Sequence, residues 1–151
     1  MKSITVKAQN GTYDVVIDRG LLSRVGALLS ERLDSRHALL VCDDTTGGLY
    51  AGAVTASLEA AGFVVDSFVF PHGEANKTWS MVGELLEKAA SANLARSDFF
   101  IALGGGVCGD MTGFAAAVYL RGVPFVQIPT TLLAAVDASV GGKTGVDLEK
   151  N

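Results

Sequence analysis

Two hydrophobic periods divide this chain. Over the first seventeen residues apolar and polar positions alternate: Ile4, Val6 and Ala8 lie between polar neighbours, and Tyr13-Asp14-Val15-Val16-Ile17 follows Asn10-Gly11. Such alternation around Asn-Gly predicts a pair of short strands joined by a turn. From Leu21 to Leu33 the set Leu21, Leu22, Val25, Leu28, Leu29, Leu33 has helical spacing. His37 to Cys42 reads HALLVC, a continuous apolar run closed by Asp43-Asp44, which predicts a strand buried on both faces. The pattern then repeats. A helix over Gly48 to Ala61 stops at Gly62, and a strand over Phe63 to Phe70 stops at Pro71. A helix over Lys77 to Asn93 precedes a strand over Phe99 to Leu103. After a glycine turn come a helix over Val107 to Leu120, a strand over Pro124 to Ile128, and Pro129-Thr130-Thr131.

Strands alternating with helices predict an α/β fold with a parallel, doubly wound, Rossmann-like sheet. Right-handed crossovers place the loops after Cys42, Phe70, Leu103 and Ile128 on one edge, at the carboxyl ends of the strands. Ligands of open α/β sheets bind there, so those four loops are where chemistry is sought.

Composition narrows the choice. The 151 residues are 49% hydrophobic and 19% charged, too apolar for a disordered chain. Twelve Lys and Arg against sixteen Asp and Glu give a net charge of −4, which argues against a nucleic-acid surface but allows a local anion pocket. Glycines and Asp110 interrupt the apolar runs, so no membrane span is expected, and the N-terminus lacks a signal-peptide pattern. Cys42 and Cys108 sit in apolar stretches and form neither a CxxC pair nor, with His37 and His72, a zinc pattern. The expected setting is a reducing cytoplasm.

The loop after Leu103 reads Gly104-Gly105-Gly106-Val107-Cys108-Gly109-Asp110, and positions 104, 106 and 109 satisfy GxGxxG between a strand and a helix. Glycines let main-chain N–H groups approach a pyrophosphate at a helix start, although a tight packing turn has the same spacing. The acidic residue expected at the end of the next strand is missing, since Gln127-Ile128-Pro129-Thr130 stands there. Asp43-Asp44 offers a carboxylate for a ribose diol, or a helix cap. His72-Gly73-Glu74-Ala75-Asn76-Lys77 sets an acid and a base three residues apart. Thr130 and Thr131 suit either a ligand or the cap of a helix beginning at Leu132. DASVGGKT, Asp137 to Thr144, collects a carboxylate, a hydroxyl, two glycines and a lysine, but fails the P-loop spacing because position 137 is Asp.

Taken together, Gly73, Glu74 and Lys77, the segment LGGGVCGDMTGFAAAVYLRGVPF from Leu103, and QIPTTLLAAVDASVGGKTGV from Gln127 resemble 3-dehydroquinate synthase, within the sugar-phosphate cyclases. The resemblance is dense over the last half of the chain and loose over the first sixty residues. It implies a lyase of the shikimate pathway, and so of chorismate and aromatic amino acid biosynthesis. Such an enzyme uses NAD and a divalent metal, zinc or cobalt, to convert a phosphorylated sugar acid to 3-dehydroquinate and phosphate, and works as a homodimer. On that resemblance, Asp43 holds the adenosine ribose and Glu74 and Lys77, after Gly73, flank the nucleotide. Gly105, Gly106 and Val107 cover the pyrophosphate, with Cys108 and Gly109 in the same turn and Asp110 toward the nicotinamide. Thr130 and Thr131 lie near the adenosine half. Asp137, Lys143, Lys150 and Asn151 face the substrate, both lysines close to NAD, and Arg121 reaches the substrate of a neighbouring subunit. Ala138, Asp147 and Glu149 depart from the family's usual Ser, Asn and Gly. The resemblance also implies that residues 1–151 are an NAD-binding N-terminal domain whose helical, metal-binding partner domain is absent, so that the chain alone is inactive. Another sugar-phosphate cyclase, or a nucleotide-binding module without catalysis, are the alternatives.

Overall fold

A run apolar at every position cannot hide one face only, and the central strands of the computed structural model bury both. It describes residues 1–9, 11–138, 140 and 144–148. Among these, β3 (His37–Asp43), β4 (Val64–Phe70), β5 (Phe99–Gly104) and β6 (Phe125–Pro129) form a parallel sheet in the order β4-β3-β5-β6. Ala38, Leu40 and Cys42 of β3, with Phe99, Ile101 and Leu103 of β5, pack against one helical layer. Leu39, Val41, Phe100 and Ala102 pack against the other.

α1 (Val25–Ser30) and α3 (Gly52–Ala60) cover the first face, and α4 (Trp79–Ser91) and α5 (Gly106–Val118) the second. α1 and α3 approach closely because residue 26 is glycine: a Cβ there would overlap the Ser57 carbonyl oxygen and come within 3.0 Å of Ala61 Cβ. The Gly26 N–H donates to Ser57 Oγ at 3.0 Å across the same contact.

The expected doubly wound sheet is present, with boundaries moved. The predicted helix at Gly48 begins earlier, as α2 (Asp44–Thr46), and passes through a wide π turn, Gly47–Ala51, into α3. Thr78 caps α4 by accepting from the Met81 N–H at 3.2 Å, so that helix starts two residues after the predicted Lys77. α5 ends at Val118, and Leu120 and Arg121 take left-handed φ of 47° and 66° in the turn that leads toward β6. β1 (Lys2–Ala8) and β2 (Gly11–Ile17) form the antiparallel hairpin.

Candidate functional site

The chain leaves β3 over one face of the sheet and β5 over the other. The connections therefore diverge between the carboxyl ends of these neighbouring strands, the switch point at which α/β sheets open a crevice. Asp43 and Asp44 come from β3 and Gly104 to Val107 from β5; His72 to Lys77 and Thr130-Thr131 flank them after β4 and β6.

Asp43 caps α2. Its Oδ1 accepts from the Thr46 N–H at 2.7 Å and lies 3.0 Å from the Thr46 hydroxyl. Oδ2 has no hydrogen-bond partner among the described residues, so capping leaves a carboxylate oxygen available. The two roles open in the sequence are compatible.

Gly105, extended at φ −84° and ψ −162°, is the N-cap residue of α5 and offers no side chain to the helix start. The first N–H groups of the helix, on Gly106 and Val107, precede the intrahelical ladder. Space here is tight: a Cβ on Gly104 would come within 2.8 Å of Cys108 Cβ, and one on Gly105 within 3.4 Å of Thr131 Cγ2. Gly109 serves packing, since a Cβ there would meet Gln127 Oε1 at 3.0 Å.

Cys108 is buried, as its apolar stretch suggests. Its side chain is buried in the core, with Sγ 3.3 Å from the Val41 carbonyl, so the thiol does not line the crevice. Burial pushes it up to about 12. Position 108 falls on the inner side of α5, and only its main-chain N–H belongs to the helix start.

Lys77 and Asp110 face each other across the crevice, Nζ to Oδ2 at 2.8 Å, with side chains 16% and 22% exposed. Glu74 is farther off, its Oε1 3.8 Å from the same ammonium. The hydrogen bond to Asp110 holds the Lys77 ammonium above the ordinary lysine range. Residue 147 passes alongside, its N–H donating to the Lys77 carbonyl at 2.9 Å.

The two threonines differ. Thr131 Oγ1 accepts from the Ala134 N–H at 3.1 Å, a cap for the next turn. Thr130 donates its N–H to the Gly104 carbonyl at 2.9 Å, which ties β6 to the glycine turn. Its Oγ1 is shielded from solvent and unpartnered among the described residues. A buried hydroxyl without a partner is costly, and such groups mark places where something else supplies the bond.

Asp137 is exposed in the turn Ala134–Ala138. Lys143, Lys150 and Asn151 lie outside the described residues. Arg121 stands beyond the far end of α5, roughly 20 Å from its start at 1.5 Å per residue. The structure thus gathers the loops after β3, β4, β5 and β6, and sets Arg121 apart. Sequence reading missed the pairing of His72 with Asp44, at 2.7 Å.

A family model described as 3-dehydroquinate synthase N-terminal matches residues 67–151, more than half of the chain. The chain belongs to this family. Among curated 3-dehydroquinate synthases, that of Streptococcus gordonii is 48% identical over 144 residues, and that of Rhodospirillum rubrum 49% identical over 144 residues. Each match covers 95% of this chain but only 41% and 37% of the relative, so the chain spans about two fifths of their length. A 2-epi-5-epi-valiolone synthase from Streptomyces hygroscopicus subsp. jinggangensis, solved with NAD+ and Zn2+ bound, superposes with TM-score 0.79 at 34% identity, over 90% of this chain and 37% of that one. A 2-deoxy-scyllo-inosose synthase shares the fold at TM-score 0.91 and 24% identity, over 99% of this chain and 42% of its own.

Proposed function

We propose that residues 1–151 form the NAD-binding domain of a 3-dehydroquinate synthase, which converts 3-deoxy-D-arabino-heptulosonate 7-phosphate to 3-dehydroquinate and phosphate. The observation that carries the cofactor reading is the unpartnered hydroxyl of Thr130, buried beside a glycine turn whose Cβ positions are already tight. The family and the curated relatives support the reaction.

In this reading the N–H groups of Gly105, Gly106 and Val107 bind the pyrophosphate, assisted by the dipole of α5. Asp43 Oδ2 takes the adenosine ribose while Oδ1 keeps its cap. Thr130 Oγ1 gains its missing partner on the adenosine side, with Thr131 beside it. The Lys77–Asp110 pair and Glu74 border the nicotinamide side, where a fixed ion pair orients a polar ring without adding net charge. When bound, NAD+ supplies the hydride acceptor that makes an alcohol temporarily a ketone and returns it. Asp137, Lys143, Lys150 and Asn151 face the substrate, where the lysines offset its carboxylate and phosphate. Arg121, too far from its own crevice, serves a neighbouring subunit. Among the described residues no three His, Cys, Asp or Glu side chains converge to hold a metal ion, so no step is assigned to a metal here.

Calorimetric titration with NAD+, with NADP+ as control, tests the cofactor reading through Thr130→Val. Removing a buried unpaired hydroxyl should raise stability by about 1 kcal/mol while weakening NAD+ binding about tenfold. A stabilised variant with unchanged affinity would refute the role of Thr130. The reaction is tested by phosphate release in a protein that joins this domain to the remaining length of its relatives. Lys143→Ala should abolish it.

A further inference from the structure

The Asp44–His72 pair joins two of the loops that make the site. Asp44 follows β3 directly, and His72 is the second residue after β4. Asp44 Oδ1 accepts from the His72 main-chain N–H at 3.1 Å and lies 2.7 Å from ring Nδ1. The His72 carbonyl in turn accepts from the Asn76 side-chain amide at 3.0 Å. One carboxylate oxygen thus fixes both the backbone and the ring of His72, and His72 braces the turn that carries Glu74 and leads to Lys77. The β3–β4 ladder ends at the Asp43–Phe70 pairing. Among the described residues, Asp44–His72 is the hydrogen-bonded tie between the two loops beyond it.

We propose that Asp44 and His72 form a proton-dependent clamp that positions the turn from Gly73 to Lys77, and through it adjusts dinucleotide affinity. The second half of this rests on the proposed NAD+ site. An imidazolium facing a carboxylate makes a charge-assisted hydrogen bond, whereas the neutral ring keeps only the weaker neutral donor. The charges that act on the ring are those of Asp44 and Asp43 at the end of β3, and Glu74 and Lys77 follow on its own loop. Lys77 is already committed to Asp110.

The hydrogen bond to Asp44, then its charge, holds His72 above its ordinary 6.5, and Asp43 adds to the effect. The same hydrogen bond holds Asp44 below 3.8. The histidine's contribution is complete below 6.5 and fades as pH rises through its raised value. That of Asp44 is complete above 3.8 and fades as pH falls through its lowered value. The clamp is tightest in weak acid and relaxes as pH climbs through the raised histidine value. Side-chain exposures of 68% for His72 and 53% for Asp44 keep its effect to about two- to fivefold, because solvent screens the pair.

The test uses the 151-residue chain and three variants: Asp44→Asn, His72→Gln, and both together. NMR follows the His72 ring and amide exchange over residues 73–77, and calorimetry gives the NAD+ Kd, each at about pH 6 and about pH 8.5. In the unaltered chain, exchange corrected for intrinsic rates should quicken, and NAD+ binding weaken, about two- to fivefold between the two conditions. Asp44→Asn should bring the ring back toward ordinary titration. All three variants should lose the pH dependence, with the double variant no weaker than either single one. A ring that titrates the same after Asp44→Asn, or single effects that add in the double variant, overturns the clamp. If NAD+ binds but its affinity ignores every variant, the coupling falls and the dinucleotide site stands. If NAD+ never binds, the dinucleotide reading and the coupling fall together, and the exchange data decide the clamp.

Discussion

Asp43 caps α2 with one oxygen and, on the proposed reading, gives the other to the ribose; substitution can separate the two roles. Asparagine is as good an N-cap as aspartate, so Asp43→Asn should melt like the parent while binding NAD+ about tenfold more weakly. Asp43→Ala loses the cap as well, at about 1 kcal/mol, and should weaken NAD+ more than Asp44→Ala does. Thermal melts and calorimetry check both. The thiol of Cys108, pushed up to about 12, leaves roughly one thiolate in ten thousand at pH 8. Cys42 is also buried and also raised. Neither should react with a thiol reagent until the chain unfolds; rapid labelling of the folded protein would contradict their placement. Lys77 carries a pH dependence of its own. Its raised value means that the pair with Asp110 contributes fully below 10.5 and fades as pH climbs past the lysine range. The stability of Lys77→Met should therefore fall less steeply than that of the parent in that alkaline window, as denaturant titrations would show.

Two glycines separate packing from propensity among the helices. Gly26 lies against the Ser57 carbonyl, so Gly26→Ala should cost about 1–3 kcal/mol by pushing α1 off α3. Gly83, inside α4, has open space where a Cβ would go, and Gly83→Ala should stabilise by about 0.4–1 kcal/mol. Chemical denaturation of the pair gives both signs. Strands were the legible elements because β3 and β5 are apolar at nearly every position, a pattern that only a doubly covered strand needs. Helix starts were less legible. Asp43, read as a ribose ligand or a cap, acts as the cap and pulls the helix four residues ahead of Gly48. The end of α5 was hidden because apolar residues continue past Val118. The chain turns there so that the Val123 N–H can reach the Ala116 carbonyl at 2.8 Å before β6. Asp44 and His72 are 28 residues apart, and only strand register brings them together. No local pattern announces such a pair.

On the scale of the whole molecule, the surface beside the site is unusually apolar. Leu132 and Leu133 are 81% and 71% exposed, and Val136 follows them one turn on. Exposed apolar clusters favour association. The chain should sediment as a concentration-dependent mixture over a tenfold range, and Leu132→Glu with Leu133→Glu should shift it toward monomer with its melting point unchanged. The strand order has a further consequence, in time rather than space. β3 pairs with β4, the next strand in sequence, but also with β5, so all of β4 and α4 must be made and set aside before the centre of the sheet can close. Contacts so distant along the chain slow folding. On the ribosome, β3, α3 and β4 emerge with Asp43 and the His72 loop formed but no glycine turn to oppose them. On the proposed reading, a nucleotide therefore cannot template the early half of the fold, and it stabilises the domain only once β5 has threaded into place beside β3.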